Sequence, residues 1–184
     1  MPRLHHGFAL LRYAALNALL GLGCWLVVGA AQAQSPAHEE VARLLRAGLA
    51  EQAQQKAEAG LVIRPNDAQL RFLKGVAQSQ RGQSDAASAT FTALTQEFPE
   101  LPEPYNNLAV LEAASGRLDA ARAALETALR LNPGYATAQQ NLGDVYAHLA
   151  GRAWGRALEL DPANPALQPR LQILQQLPMS HTAR

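Results

Sequence analysis

Residues that favour β-strands are scarce in this chain of 184 residues. Valine, isoleucine and threonine together number 15, and aromatic residues make up 5% of the chain. Strands are enriched in β-branched and aromatic residues, whereas alanine and leucine, which number 37 and 30 here, lead the helix propensity scale. The composition therefore argues against a β-sandwich, a β-barrel or a large parallel sheet, and it favours an all-helical protein of one domain.

Surplus charge and cysteine are also scarce. The formal net charge is +1, and because a protein that binds the phosphate backbone needs a strong basic surplus, we expect no nucleic-acid partner. The single cysteine, Cys24, excludes an intramolecular disulfide and any cysteine-rich metal site.

The N-terminal segment, 1–33, has the pattern of a secretory signal peptide. Arg3 and Arg12 give a basic start, an apolar stretch covers 14–28, and Ala-Gln-Ala at 31–33 is the small-x-small pattern that signal peptidase cleaves. We predict cleavage after Ala33. It would remove Cys24 and two of the 16 basic residues but none of the 15 acidic ones, which leaves a cysteine-free chain of net charge −1.

Two other interpretations of this segment stay open. An uncleaved segment would anchor the chain in the inner membrane, although a spanning helix needs about 20 apolar residues and this stretch is shorter. Lipid attachment at Cys24 fits poorly, because the residues at 21–23 do not match the lipidation pattern and the apolar run continues beyond the cysteine. The signal is bacterial in type, so we expect the protein in the periplasm.

A period of about 34 residues runs through the rest of the chain. Its columns are Gly48, Gly82 and Gly116; Ala53, Ala87 and Ala121; Pro65, Pro99 and Pro133; Gly75, Ala109 and Gly143; and, if a gap is allowed, Phe91, Leu125 and Trp154. Glycine ends a helix at low cost in the left-handed conformation, proline ends the next helix, and small residues let two helices approach. We predict helix pairs at 37–47 with 50–62, 68–81 with 84–97, and 102–115 with 118–131.

These columns resemble the tetratricopeptide repeat (TPR) family. The residues that carry the resemblance are YNNLA at 105–109, GRLDAA at 116–121 and ALRLNP at 128–133, and it covers 36 to about 162. It implies an all-α, right-handed α-solenoid whose concave groove is lined by the first helix of each pair. The expected division is a signal peptide at 1–33, a degenerate first repeat at 34–67, two full repeats at 68–101 and 102–135, a shortened fourth repeat at 136–162, and a helical tail at 163–184.

The fourth repeat lacks the residues of its turn. The spacing from Pro133 to Pro162 is five short of the period, and apolar residues continue in helical phase through the gap. We predict one continuous helix from Ala136 to Leu160, roughly 37 Å long. A tight turn at Gly151 is the competing interpretation, because glycine inside a helix costs about 1 kcal/mol relative to alanine.

A continuous helix cannot fold back on itself, so its second half would project from the solenoid and need cover for Trp154, Leu158 and Leu160. A short tail helix, predicted over 166–177, would supply that cover as a cap for the solenoid. The alternative is a homodimer interface with Trp154 as its anchor and Leu158 beside it.

Groups that carry catalysis are few. The histidines beyond the signal, His38, His148 and His181, lack the spacing of metal ligands. No serine lies in a G-x-S-x-G sequence, and no phosphate-binding glycine motif remains beyond the signal. We therefore predict no enzymatic activity, no metal and no cofactor.

The resemblance assigns the binding residues to the first helices of the pairs. Asn107 and Asn141 lie one period apart, and their amides offer donors and acceptors to the backbone of an extended peptide. Contact with a neighbouring helix is the other interpretation of these two amides. The groove lacks the cluster with which family members clamp a terminal carboxylate, because Arg71 and Lys74 lie in other columns. The full predicted set is Phe72, Val76, Asn106, Asn107, Val110, Gln140, Asn141 and Asp144.

The sequence as a whole predicts a non-enzymatic scaffold or adaptor in the bacterial periplasm. We expect a protein or peptide partner, as an extended peptide or a helix, in the concave groove, and no stable membrane anchor once the signal is cleaved. The alternative is a recruiting subunit of an envelope enzyme or of a cell-wall remodelling complex.

Overall fold

A computed structural model describes residues 36–175, and within them every regular element is an α-helix. The predictions for 1–33 and for the end of the tail, 176–184, lie outside the described residues. The eight described helices are α1 (Pro36–Arg46), α2 (Ala50–Ile63), α3 (Ala68–Gln80), α4 (Ser84–Glu97), α5 (Pro102–Ala114), α6 (Leu118–Leu131), α7 (Ala136–Leu160) and α8 (Leu167–Gln175).

The first six helices form the three predicted pairs, and each end lies within one residue of its predicted position. Each helix packs against the next one in the chain, and α1 also contacts α3, while α5 contacts α7. This is an all-α solenoid of helical repeats, as the sequence predicts.

The turn inside each pair depends on its glycine. Gly48, Gly82 and Gly116 have φ values of 73°, 72° and 77°, in the left-handed region that glycine enters without a steric penalty. At the first turn the Leu49 N–H donates to the Leu44 carbonyl at 2.9 Å, and the Gly48 N–H donates to the Leu45 carbonyl at 3.1 Å. This is the Schellman arrangement, which satisfies carbonyls at the end of a helix and reverses the chain.

The small-residue columns lie where helices touch. Ala53, Ala87 and Ala121 are all fully buried. A Cβ atom built on Gly75 would lie 2.6 Å from Cε1 of Phe91, whose side chain is itself fully buried. Only glycine lets α3 and the Phe91 ring of α4 come this close.

The fourth unit is the predicted single helix, since α7 extends without a break from Ala136 to Leu160. Its first half packs on the third pair through the buried side chains of Ala138, Leu142 and Val145, whereas none of the residues 151–160 is buried in the described structure. The helix can continue because the glycine turn present in the other repeats is missing here.

Gly143 is an exception to its column. The column predicts a close helix approach at this position, but a Cβ on Gly143 would meet no described atom within 4 Å. The prediction is wrong here because no second helix of the fourth unit folds back onto α7.

The tail helix α8 packs against the second half of α7. Leu167 is buried, a Cβ on Gly151 would lie 3.1 Å from Leu174 Cδ1, and the Arg170 guanidinium lies 5.6 Å from the centre of the Trp154 ring. Leu160 remains 88% exposed. The expectation that the tail covers Leu160 is therefore wrong for the part of the chain that the structure describes.

Candidate protein-binding face

The predicted binding residues all lie on the first helices of the pairs, α3, α5 and α7. Two columns contain six of the eight: Phe72, Asn106 and Gln140 form one, and Val76, Val110 and Asp144 form the other. The two columns are about one helical turn apart, so they share one side of each helix.

Four of the eight residues are buried. Val76, Asn106, Asn107 and Asn141 are 6%, 0%, 1% and 5% exposed. Asn141 Nδ2 donates to Asn106 Oδ1 at 2.8 Å, so this pair joins α7 to α5. Asn107 Nδ2 instead donates to the Glu103 carbonyl of its own helix at 3.0 Å. The two amides one period apart, Asn107 and Asn141, therefore have different partners in the protein.

The asparagine cluster is not fully hydrogen-bonded. Asn106 Nδ2, Asn107 Oδ1 and Asn141 Oδ1 are buried and have no partner among the described residues. A buried polar atom without a partner costs about 1–3 kcal/mol. The Asn106–Asn141 bond fixes how α7 stacks on α5, because sliding one helix along the other would leave both amides without this partner.

The remaining four residues reach the surface. Gln140 is exposed, whereas Phe72, Val110 and Asp144 are half-buried. Phe72 packs against the core of the first two units, and its ring centre lies 5.8 Å from that of Phe91. We call Phe72, Val110, Gln140 and Asp144 the first-helix face. It combines apolar side chains with one amide and one carboxylate.

His38 belongs to the same column and is missing from the predicted set. It lies one period before Phe72, so the repeat itself could have found it. Its Nε2 lies 2.9 Å from Asp67 Oδ2 in a setting where both side chains are at most 15% exposed. In the first unit this column therefore holds His38, which makes an interhelical contact, just as Asn106 of the same column does in the third unit.

Asp67 connects the first two units at the start of α3. It accepts a hydrogen bond of 3.0 Å from the Leu70 N–H as the N-cap of α3, and Arg64 lies 3.2 Å from its Oδ2. Burial alone would raise the pKa of Asp67, but the hydrogen bonds from Leu70 and His38 and the neighbouring charges hold the pKa below its ordinary value of 3.8.

Arg71 and Lys74 line a cleft of about 360 Å³ between α2, α3 and α4. Arg71 donates to Glu97 at 2.8 Å, and Lys74 Nζ lies 3.7 Å from Glu58. Both cations thus have acidic partners within the protein, and both lie outside the two columns of the first helices. The other residues that line this cleft are Leu61, Pro65, Ala89, Thr90 and Ala93.

In the described part of the chain, no group of three or more histidine, cysteine, aspartate or glutamate side chains could hold a metal ion. Across 36–175, moreover, no helix combines the length and the apolar character needed to cross a membrane.

A family model described as "TPR repeat" matches residues 111–149, from the end of α5 into α7. These residues of the chain form a tetratricopeptide repeat. The TPR match includes the buried contact between α6 and α7 and about half of the long helix.

A curated relative contains the same repeats. The chain is 39% identical over 80 residues to the tetratricopeptide repeat domain-containing protein PYG7, chloroplastic, of Arabidopsis thaliana. The matched residues cover 41% of this chain and 27% of the relative, so the match spans about a quarter of that protein's length.

Two solved structures share the fold. A TPR protein of Parabacteroides merdae aligns with a TM-score of 0.52 at 20% identity, over 76% of this chain and 59% of that one. A chain from the structure of Naa15/Naa10 bound to HypK-THB aligns with a TM-score of 0.55 at 17% identity, over 75% and 22% of the two chains.

Proposed function

We propose that this TPR chain is a non-enzymatic scaffold or adaptor that holds a protein partner against its first-helix face. The observation that carries the proposal is that this face places the accessible Phe72, Val110 and Gln140 on three successive first helices. Phe72 and Val110 offer apolar contact, and the Gln140 amide offers two donors and an acceptor to a peptide backbone.

The partner is an extended peptide or a helix. An amide pairs with peptide backbone without reading its sequence, so side-chain selectivity rests with Phe72, Val110 and the charge of Asp144. The buried Asn141 takes part through its bond to Asn106, which joins two of the helices that carry the face, whereas Asn107 donates within its own helix. A complex of other proteins that contains a chain of similar fold, Naa15/Naa10 bound to HypK-THB, supports a role in protein association.

Site-specific photo-crosslinking in living cells tests the proposal. A photoreactive amino acid at Val110 on α5 should capture a partner, whereas the same group at the exposed Ala123 on α6 is the matched control on a second helix. Capture of a single enzyme, in a one-to-one ratio with this chain, would support the recruiting-subunit alternative over a general scaffold. Equal capture from both positions, or none from Val110, would remove the first-helix face as the binding surface.

A charge on the face gives the corresponding loss-of-function test. We expect Val110→Arg to weaken binding of the captured partner at least tenfold, which is about 1.4 kcal/mol, because the guanidinium would have to be desolvated in the complex. Ala123→Arg should leave binding unchanged. Circular dichroism of both variants checks that the helices are intact.

We also propose that the protein is exported to the bacterial periplasm after cleavage following Ala33. The basic start, the apolar stretch at 14–28 and the Ala-Gln-Ala site support this proposal. Cell fractionation with intact-mass measurement tests it, since cleavage should give a periplasmic chain that begins at Gln34. A full-length mass in the membrane fraction would indicate an uncleaved inner-membrane anchor instead.

A further inference from the structure

The second half of α7 matches the sequence of the second helix of a TPR pair. Because α7 is continuous, this half does not fold back onto the first half, which corresponds to the first helix of the pair. Within a repeat, the bulky residue follows the small one by 16 positions, as Phe91 follows Gly75 and Leu125 follows Ala109. Counting 16 from Gly143 and subtracting the five missing residues leads to Trp154. The same count places Ala150 in the column of the buried Ala87 and Ala121.

The matching surface of the first half of α7 is uncovered. In the second unit the Gly75 position is filled by the ring of Phe91, with 2.6 Å between Cε1 and a built Cβ, whereas the same position at Gly143 is open among the described atoms. Tyr146, one turn further along, is 47% exposed. Trp154 cannot fill the gap in its own chain, because continuous helix separates it from Gly143 by roughly 16 Å.

One apolar face runs along both halves of α7; it is exposed at Gly143 and half-buried at Ala147, Ala150 and Trp154. At 3.6 residues per turn, Gly143, Ala147, Ala150 and Trp154 fall within about 60° of one another around the helix. The charged residues of α7 all lie at least about 90° from the middle of this face; they are Asp144, Arg152, Arg156 and Glu159.

We propose that a second copy of this chain occupies the face, with the two α7 helices antiparallel and each Trp154 packed over the Gly143 of its partner. The register is self-complementary: Gly143 opposite Trp154 requires Ala147 opposite Ala150, and both pairs then occur twice about a two-fold axis. The second half of each α7 thereby takes the place that α4 and α6 occupy in the intact repeats.

The proposed contact has the same antiparallel helix direction and the same kind of small residues as the interfaces within the intact repeats. Paired TPR helices are antiparallel, and the third unit has Ala113 at the place that Ala147 would take and Ala121 at the place of Ala150. Small residues at the crossing let the helices approach closely. The tail helix α8 contacts α7 at Gly151, about 80° around the helix from Gly143. Its exposed Arg170 guanidinium lies 5.6 Å from the centre of the Trp154 ring, so Arg170 has to swing aside when Trp154 packs over the Gly143 of the partner.

Two glycines of α7 provide a matched test, since a Cβ at either Gly143 or Gly155 meets no described atom within 4 Å. The full-length chain and its Gly143→Leu and Gly155→Leu variants are purified, and their dissociation constants are measured by analytical ultracentrifugation. We expect the unaltered chain to dimerise, Gly143→Leu to raise the dissociation constant at least tenfold, and Gly155→Leu to leave it unchanged. A monomer at every concentration, or equal effects of the two variants, would overturn the proposal.

A crosslinking experiment tests the register separately. In a Cys24→Ser background, chains carrying Gly143→Cys are mixed with chains carrying Trp154→Cys and treated with a short bismaleimide. The antiparallel pairing predicts a covalent dimer from the mixture and far less from either chain alone. Equal crosslinking of Gly143→Cys chains with one another would contradict the pairing, and circular dichroism confirms that each variant remains helical.

Discussion

The same residue type has opposite structural roles in one column of this repeat. Gly75 is required by the Phe91 ring against which it packs, whereas Gly143 lies in open space. Glycine inside a helix is unfavourable relative to alanine, so its presence is compensated at Gly75 by close packing. Among residues 36–175 no comparable packing compensates for Gly143, and the proposed dimer would supply that contact.

Alanine at the two positions should therefore change stability in opposite directions. We expect Gly75→Ala to lower the free energy of unfolding by about 1 kcal/mol or more, because the overlap with the buried ring outweighs the helix propensity gain. Gly143→Ala should raise it by about 1 kcal/mol at monomer concentrations. Urea denaturation measures both, and a gain in stability at Gly75 would show that the ring can move aside.

The Asp67 carboxylate couples the stability of the first two units to pH. Because its pKa is held below the ordinary 3.8 in the folded state, its contribution is present above pH 3.8 and is lost as the pH falls through the lower folded pKa. Asp67→Asn keeps an N-cap side chain for α3 and removes the titration. We expect the unaltered chain to lose more stability than Asp67→Asn between about pH 6 and about pH 2.5.

Urea denaturation at the two pH values measures this difference. Other carboxylates, such as Glu97, whose pKa is lowered by the hydrogen bond from Arg71, titrate in both proteins and cancel in the comparison. Parallel acid dependence of the two proteins would mean that Asp67 does not contribute.

At the scale of the element, five missing residues turn a helix pair into one helix. The deleted positions correspond to residues 116–120 of the third unit, which contain the positive-φ Gly116 and the start of α6. Without that glycine the i to i−4 hydrogen bonds continue, and α7 reaches 25 residues. The direction of the second half is thus decided by a turn, although its side chains still suit a second TPR helix.

Restoring the turn should restore the hairpin. We expect insertion of a copy of residues 116–120, Gly-Arg-Leu-Asp-Ala, between Leu149 and Ala150 to let the second half fold back and to bury Trp154 on Gly143 of the same chain. The insertion should make the protein monomeric, and at monomer concentrations its Trp154 should fluoresce at shorter wavelength than Trp154 of the unaltered chain. A Trp25→Phe background leaves Trp154 as the single tryptophan, and a persistent dimer with unchanged fluorescence would contradict this expectation.

At the scale of the whole molecule, two core clusters meet at α5. Leu111 of α5 belongs to the cluster of the first two units, and Ala109 of the same helix belongs to the cluster of the third pair and α7. Repeat proteins derive their stability from such neighbour contacts. The second half of α7 and α8 have few buried side chains, with Leu167 the main one in the described residues.

Hydrogen exchange should follow this distribution. We expect backbone amides of α3 to α6 to exchange slowest, because helices pack on both sides of them, and amides of 151–160 and α8 to exchange fastest at monomer concentrations. Mass spectrometry of exchanged peptides measures the gradient. If residues 151–160 of the monomer were protected as strongly as α6, this expected gradient would be contradicted. Protection of 151–160 that rises with protein concentration would instead reflect formation of the proposed dimer.

The sequence alone determined the helix boundaries, the glycine turns and the length of α7, because these depend on local rules: glycine at a positive φ, proline after a helix, and apolar residues in helical phase. Tertiary structure decided which side chains remain accessible. Asn106 and Asn141 bond each other at 2.8 Å and Gly143 stays open, because burial depends on which helix packs next to each residue. The repeat period assigns a residue to a column, but it does not specify whether a neighbouring helix covers that column.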